Sequence, residues 1–451
     1  MKSKINEKLL QFLSSFSRPV YLVGGLVRNF LLDKNSFTTD IDLAGAIDDN
    51  DFLTALNNCG ADKIGHYKRT HTVTFEIGGQ KCEFTSFRKE TYAKGGAHTP
   101  IETMLTDDIL EDARRRDFKC NAIYYDVKSG VFVDPLGGIK DVENKVLDTV
   151  IEPEEVFAHD GLRLMRLARF AGELGFTPTN RVIKSARDCA DNICDIAPER
   201  VLAELLQLLV ADGKHSFSPR DGHYRALKVL DDTRVLDRIL PEIALGRGMA
   251  QRADYHNYDV LGHIFASVKH AHPSVRFATL FHDIGKPTCM VKNGKYHGHD
   301  FAGVDIAKEV LNRLRVSEKL KSETLFLIKY HMLDIKLDVR EVKLRKFLVK
   351  NYPFVEKLML LKTADFRGSK DVEEESSTVI RWRKLLDIMK KDGTPFCLKD
   401  LKISAQDLIG MGVKGARIGK DMEELMDFAI ENPDKNNKDA LIKIAVNRYA
   451  K

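Results

Sequence analysis

Strand-like runs crowd into the first ~145 residues of this chain and then give way to unbroken helical periodicity, a change that limits the folds open to it. Predicted strands are Tyr21-Leu22-Val23, Ile41-Asp42-Leu43, His71 to Ile77, Lys81 to Ser86, Ala122 to Val127 and Val131 to Asp134. Helical stretches separate them, as in an α/β or α+β unit. From Glu152 to Lys451 apolar residues recur at helical spacing with few β-branched alternations, which predicts a nearly all-α remainder. A chain of 451 residues supports two or more cores. Soft boundaries near 150, 250 and 370 divide it into segments 1–150, 151–250, 251–370 and 371–451. The last boundary is marked by the charged stretch Arg367 to Ser377, read as a solvated connector or a helix start.

Composition excludes several classes. No apolar run approaches the ~20 residues that cross a bilayer. The opening MKSKINEKLLQFLSSF reads as an amphipathic helix without the unbroken apolar core of a secretory signal. Seven cysteines (Cys59, Cys82, Cys120, Cys189, Cys194, Cys289 and Cys397) fall singly, so neither a disulfide framework nor a zinc knuckle is expected, and the expected location is cytoplasmic. A net charge of +5 is mild; the 71 Lys and Arg would have to gather on one face to attract a polyanion.

The segment Tyr21-Leu-Val-Gly24-Gly25-Leu-Val-Arg28 sets two glycines between a strand and a predicted helix. Bare backbone N–H groups at a helix start can approach an anion closely, and Arg28 would add charge. Further on comes Thr39-Asp40-Ile41-Asp42-Leu43. On a strand, Asp40 and Asp42 share a face, and their mutual repulsion is relieved by a bound Mg²⁺. Taken alone, D-x-D describes many surface pairs; beside a phosphate cradle it suits in-line nucleotidyl transfer. Glu83 is a candidate third carboxylate, with an exposed edge residue the plainer reading. Arg114-Arg115-Arg116-Asp117-Phe118-Lys119-Cys120-Asn121-Ala122 offers cations for phosphate and an acceptor and an amide for ribose hydroxyls.

Together these motifs resemble the class II CCA-adding enzyme and bacterial poly(A) polymerase family. The likeness continues through Asp134-Pro-Leu-Gly-Gly138, Arg163-Leu-Met-Arg166-Leu-Ala-Arg169-Phe-Ala-Gly-Glu-Leu-Gly175-Phe176, Ser404 to Gly412, and Gly415-x-x-Ile-Gly419. The resemblance implies an α+β, polymerase-β-like nucleotidyltransferase head, followed by a mostly α-helical neck, body, HD domain and tail. It implies Asp40 and Asp42 as Mg²⁺ ligands. Gly24, Gly25, Arg28 and Arg116 would face the triphosphate, and Asp117 and Asn121 would lie near the ribose. Asp160, Arg163, Arg166 and Arg169 complete the expected nucleotide-binding set. Two positions depart from the family pattern: Asn29 stands where Asp is usual, and His159 where Glu precedes the Asp-x-x-Arg pair.

Asp160 and Arg163, three apart on a predicted helix, would share a face. A carboxylate accepts and a guanidinium donates, matching the N4 and N3 edge of cytosine and the N6 and N1 edge of adenine. Uracil and guanine reverse that order and would leave buried groups unpaired, at roughly 1–3 kcal/mol each. An ordinary i,i+3 ion pair is the bland alternative. Arg88 to Asp107, with Gly95-Gly96 inside it, reads as a mobile loop, which in the family is implied in switching from C to A addition.

A second constellation lies in the helical half. His282-Asp283-Ile-Gly285-Lys286 follows the apolar stretch Phe277 to Phe281, with His263 upstream and His299, His331 and Asp365 downstream; His256, His297 and His331 are less securely placed than the His282-Asp283 pair. The order resembles the HD superfamily of metal-dependent phosphohydrolases. Imidazoles with carboxylates suit Ni²⁺, Mn²⁺ or Fe²⁺. Nearer the C-terminus, Gly410, Gly412, Gly415 and Gly419 sit among Lys414, Arg417 and Lys420, an expected grip on an RNA backbone. The expectation is a monomeric or homodimeric, non-membrane enzyme acting on tRNA with CTP and ATP. Its rivals are a poly(A) polymerase or A-only adder, and an HD phosphohydrolase whose head only binds RNA.

Overall fold

The computed structural model describes residues 1–36, 40–93, 96, 100–252, 254 and 257–449; Thr39, Gly95 and His256 lie outside them. The chain forms two compact units, Met1–Ala244 with Asn312–Val316, and Leu245–Leu311 with Ser317–Lys451.

In the first unit, β1 (Val20–Leu22), β2 (Asp40–Gly45), β3 (Asp62–Tyr67), β4 (Thr72–Ile77), β5 (Gln80–Ser86), β8 (Tyr124–Asp126) and β9 (Phe132–Val133) make one sheet in the order β3-β4-β5-β2-β1-β8-β9. All six predicted strands are present, and β3 is additional. Within this sheet, among the described residues, only β2 and β5 pair in parallel. One sheet face is sealed by aromatic packing: Phe52 of the helix Asp49–Cys59 stacks on Phe84 of β5 at 3.7 Å, and Phe12 of the helix Glu7–Ser14 meets Phe52 edge-on at 5.5 Å. Local chemistry sets these helices. Asn6 and Asp48 cap them by accepting from Lys8 and Asn50 N–H, and Gly60 ends the second at φ +71°.

The stretch expected to be a loop is a hairpin over most of its described length. β6 (Arg88–Thr91) pairs antiparallel with β7 (Glu102–Leu105). The reason lies on β6: Arg88 is buried and donates to Glu90 and to the Thr70 carbonyl, which ties the strand down.

After a two-residue pairing of Val146–Leu147 with Thr177–Pro178, the elements are helical. The helix Leu162–Leu174 is buried almost all round, and Gly175 ends it at φ +67°. The second unit is built on helices Val260–His270, Tyr352–Lys370 and Ser377–Lys391, with the fully buried Trp382 in its core. The charged stretch supplies the short link between the last two helices. No helix among the described residues is long and apolar enough to cross a membrane.

Candidate active site and metal centre

Strand alternation separates core from chemistry. Ile41 and Leu43 of β2 and Cys82 and Phe84 of β5 point into the core, whereas Asp40, Asp42 and Glu83 lie on the exposed side. Asp42 stands directly opposite Glu83 in the parallel register. The glycine turn closes on the same spot. Val23 N–H donates to the Asp42 carbonyl at 3.0 Å, and Gly24 adopts φ +75° with its would-be Cβ 2.9 Å from Asp42 Oδ2. Asp42 is open to solvent along the strand face but crowded by protein around its carboxyl, which strips part of the water from it. Burial first, then the charges of Glu83 and Asp40, raise its pKa to about 6, against the pull of Arg116 and Arg166. Three carboxylates on one face suit a hard cation such as Mg²⁺.

Arg116 is aimed by its neighbours. The fully buried Asp112 accepts from Arg115 Nε at 2.7 Å, Arg116 Nη2 at 3.0 Å and the Tyr124 hydroxyl at 2.7 Å. Nothing in the motif reading singles out Asp112; its available signal is the i,i+4 spacing to Arg116.

Arg28 is only 4% exposed, and its guanidinium is engaged on both sides. It donates through Nε and Nη2 to Asn29 Oδ1 at 3.1 and 2.9 Å, and through Nη1 to Asn121. Asn29 thus serves as a neutral acceptor where the family pattern has a carboxylate. Asn121 donates to Asp117 Oδ1 at 3.0 Å, and Asp117 Oδ2 accepts from Arg166 at 2.8 and 2.6 Å. Arg28, Arg166 and Arg169 all face the Phe170 ring, at 5.0, 5.0 and 4.4 Å. Arg169 is buried against Glu204 (2.6 Å) and Glu173 (2.9 Å), so its first role is to brace the helix. Gly25 begins the helix that carries Arg28.

Asp160 and Arg163 do not share a helical face. Asp160 has extended backbone between two helices and its carboxylate accepts from Leu162 N–H at 2.9 Å, because an aspartate before a helix start bonds the free N–H groups there. Arg163 donates to the carbonyls of Val156 (3.3 Å) and Arg115 (2.6 Å), and no ion pair among the described residues joins it to Asp160. The simple i,i+3 ion pair is therefore absent here.

The six residues of the second constellation converge. His263 lies on the helix Val260–His270. His282 and Asp283 follow the helix Arg276–Phe281, His299 opens the helix His299–Arg313, His331 follows the helix Glu318–Tyr330, and Asp365 sits within Tyr352–Lys370. His282, His299 and His331 each point Nδ1 at a backbone carbonyl, of Thr279 (2.7 Å), Tyr296 (2.8 Å) and Ile328 (2.6 Å). Those bonds assign the proton to Nδ1 and turn the Nε2 lone pairs inward.

His282 Nε2 stands 3.2 Å from His263 Nε2, and His299 Nε2 stands 3.1 Å from His331 Nε2. Lone pairs this close repel unless a cation lies between them. Asp283 serves both pairs, with Oδ2 3.1 Å from His263 and Oδ1 3.1 Å from His299, and Asp365 Oδ1 is 3.1 Å from His263. Two donor trios, His263-His282-Asp283 and Asp283-His299-His331, fit metal ions. A proton on Nε2 can take the cation's place: burial opposes charge on His282, yet Asp283 and Asp365 outweigh it and raise its pKa to about 10. His297 is exposed and lies outside both trios.

Lys414, Arg417 and Lys420 are exposed. The would-be Cβ positions of Gly410, Gly412, Gly415 and Gly419 meet nothing within 4 Å, so this stretch of backbone is open.

Comparison with known proteins bears on both centres. Residues 20–148 match the Poly A polymerase head domain, residues 175–245 the probable RNA and SrmB-binding site of polymerase A, and residues 260–352 the HD domain. The multifunctional CCA protein of Acinetobacter baumannii (strain SDF) is 32% identical over 330 residues, 69% of this chain and 74% of that protein. The multifunctional CCA protein of Stenotrophomonas maltophilia (strain K279a) is 30% identical over 311 residues, 66% of this chain and 71% of that one. In fold, the chain is similar to the Bacillus stearothermophilus CCA-adding enzyme crystallised with CTP, with a TM-score of 0.66 and 19% identity over 99% of this chain and 100% of that one. It is also similar to a tRNA nucleotidyltransferase complexed with a primer tRNA and an incoming ATP analog, with a TM-score of 0.57 and 19% identity over 86% of this chain and 100% of that one. By the extent of identity to the multifunctional CCA proteins, with a nucleotidyltransferase head and an HD domain both present, the chain belongs to the class II CCA-adding enzyme family.

Proposed function

We propose that this nucleotidyltransferase adds C, C and A to the 3′ end of tRNA from CTP and ATP without a nucleic-acid template. The observation that carries the reading is the grouping of Asp40, Asp42 and Glu83 on one exposed face beside Gly24. When bound there, Mg²⁺ would supply charge neutralisation for in-line attack of the RNA 3′ hydroxyl on the α-phosphate, the α–β phosphoanhydride bond breaking and pyrophosphate leaving. Asp40 and Asp42 hold it, with Glu83 as the third carboxylate. Gly24 and Gly25 leave backbone N–H groups open to the triphosphate, and Arg116 supplies cationic charge. Arg28 braces Asn121 and, through it, Asp117 at the ribose, with Arg166 on Asp117 and Arg169 behind. Asp160 and Arg163 read the base edge.

The division of labour follows the chain: head at 1–150, neck and body at 151–250, HD domain at 251–370 and tail at 371–451, with Lys414, Arg417 and Lys420 on the RNA backbone. The HD centre is a phosphohydrolase site for a transition metal (Ni²⁺, Mn²⁺ or Fe²⁺) held by His263, His282, Asp283, His299, His331 and Asp365.

The test is direct. Purified protein is incubated with tRNA lacking one, two or three terminal nucleotides and with CTP or ATP. CTP use on the two shorter substrates and ATP use on the one ending in CC are expected. Incorporation from ATP alone on every substrate replaces this reading with poly(A) or A-only addition. Asp40→Ala and Asp42→Ala are expected to abolish addition while sparing phosphohydrolysis; persistent addition means the head is not the catalyst.

A further inference from the structure

His159 stands directly before Asp160, where the family resemblance leads one to expect glutamate, so this chain must hold its base-reading pair by other means. The structure supplies two. The His159 imidazole lies flat on the Tyr92 ring, with centroids 4.6 Å apart and planes inclined by 13°. Burial, then the neighbouring Arg163 charge, lower the His159 pKa, which favours a neutral stacking ring. The Tyr92 hydroxyl donates to Glu90, and Arg115 pairs with Glu90 at 3.7 Å. Arg163 Nη2 in turn donates to the Arg115 carbonyl at 2.6 Å. The contacts close a ring that begins at His159 and returns to Arg163.

The second means is a backbone bracket. Gly96 N–H donates to the Ala158 carbonyl at 2.9 Å, and its own carbonyl accepts from Gly161 N–H at 2.9 Å, so one residue spans the His159–Asp160 step. Gly96 adopts φ +66°, and a Cβ there would lie 2.7 Å from Asn192 Cβ and 2.8 Å from the Asn192 carbonyl oxygen. Only glycine fits without displacing Asn192.

We propose that Tyr92 and Gly96 are positioning residues for base selection, the ring stack and the bracket together fixing the aim of Asp160 and Arg163 so that cytosine and adenine are accepted and uracil and guanine refused. The inference rests on the reading of this chain as a CCA-adding enzyme. Discrimination by hydrogen bonding depends on direction. A loosened Asp160–Arg163 segment still meets a base but no longer leaves the wrong one unpaired.

The experiment uses the full chain and tRNA substrates ending in CC or lacking CCA, with kcat and KM measured separately for CTP, ATP, UTP and GTP. Tyr92→Ala and the more conservative Tyr92→Leu, which keeps apolar bulk, are expected to raise KM for ATP and to cut the preference for ATP over GTP about tenfold. Gly96→Ala is expected to do the same, and Tyr92→Phe, which keeps the ring stack but loses the hydroxyl bond to Glu90, to retain the greater part of the wild-type preference. The proposal is overturned if Tyr92→Leu keeps the wild-type preference, or if kcat falls in equal proportion for all four nucleotides, which is the mark of a merely structural role. Failure of the wild-type protein to use CTP and ATP defeats the CCA reading instead, so the two failures are told apart.

Discussion

Gly24 meets two demands that no other residue satisfies together. Its φ of +75° disfavours any side chain, and a Cβ would press on Asp42 Oδ2 at 2.9 Å. Gly24→Ala therefore pushes aside a carboxylate oxygen proposed to hold Mg²⁺ even if the turn persists. Misplacement on that scale costs ~10²-fold in rate, so a single-turnover assay of CTP addition is expected to show about that loss, together with a lowered melting temperature from the strained turn. Lys362 poses the opposite problem, a charge with almost no access to water. It is 4% exposed, donates to the carbonyls of His331 and Leu333 at 2.6 Å each, and faces the Trp382 ring at 5.3 Å. Burial pushes its pKa down to about 8. Lys362→Met keeps the volume but strands two carbonyls, at roughly 1–3 kcal/mol each, and frees the turn that carries His331, a proposed metal ligand. Metal content measured by mass spectrometry is expected to fall in this variant, while nucleotide addition by the head is retained.

At the level of elements, the helix Leu162–Leu174 shows what periodicity reveals and what it hides. Its helical spacing was readable from the apolar residues, and so was the presence of Arg163, Arg166 and Arg169. Their tasks were not. Arg166 turns to Asp117, forty-nine positions earlier in the chain, and Arg169 turns to Glu173 and Glu204; only the Glu173 pairing is local enough for spacing to suggest. Because Arg169 neutralises two buried carboxylates, Arg169→Ala is expected to destabilise the first unit by about 3–5 kcal/mol in a denaturant titration, well beyond the effect of an exposed ion pair. The Asp40-x-Asp42 strand was legible for a different reason: a period of two fixes the face without any distant partner. Asp160 was misread because its neighbours have helical periodicity on both sides, whereas the short side chain favoured a bond to Leu162 N–H over continuation of the helix. The β6–β7 hairpin was hidden likewise, since what anchors it, Arg88 on the Thr70 carbonyl, is a contact between separate segments.

Across the whole molecule, two candidate ion-binding centres of different donor chemistry occur in one chain, each within its own compact unit. The first offers carboxylates alone, from Asp40, Asp42 and Glu83. The second gathers four imidazoles around Asp283 and Asp365. Hard oxygen donors select magnesium, whereas imidazole nitrogen raises affinity for first-row transition metals far above that for magnesium. A chelator with nitrogen donors should therefore discriminate between the centres. With 1,10-phenanthroline present and millimolar Mg²⁺ maintained, phosphohydrolysis is expected to be lost and addition of C, C and A to continue at its original rate. His282→Ala should reproduce the same split without chelator, because removing one imidazole leaves His263 and Asp283 short of a ligand set. If phenanthroline instead halts both reactions in parallel, the head depends on a transition metal, and the assignment of its three carboxylates to magnesium fails. Both activities are measured on one preparation with its melting temperature followed alongside, since a general loss of folded protein also lowers the two together and is recognised by the fall in melting temperature.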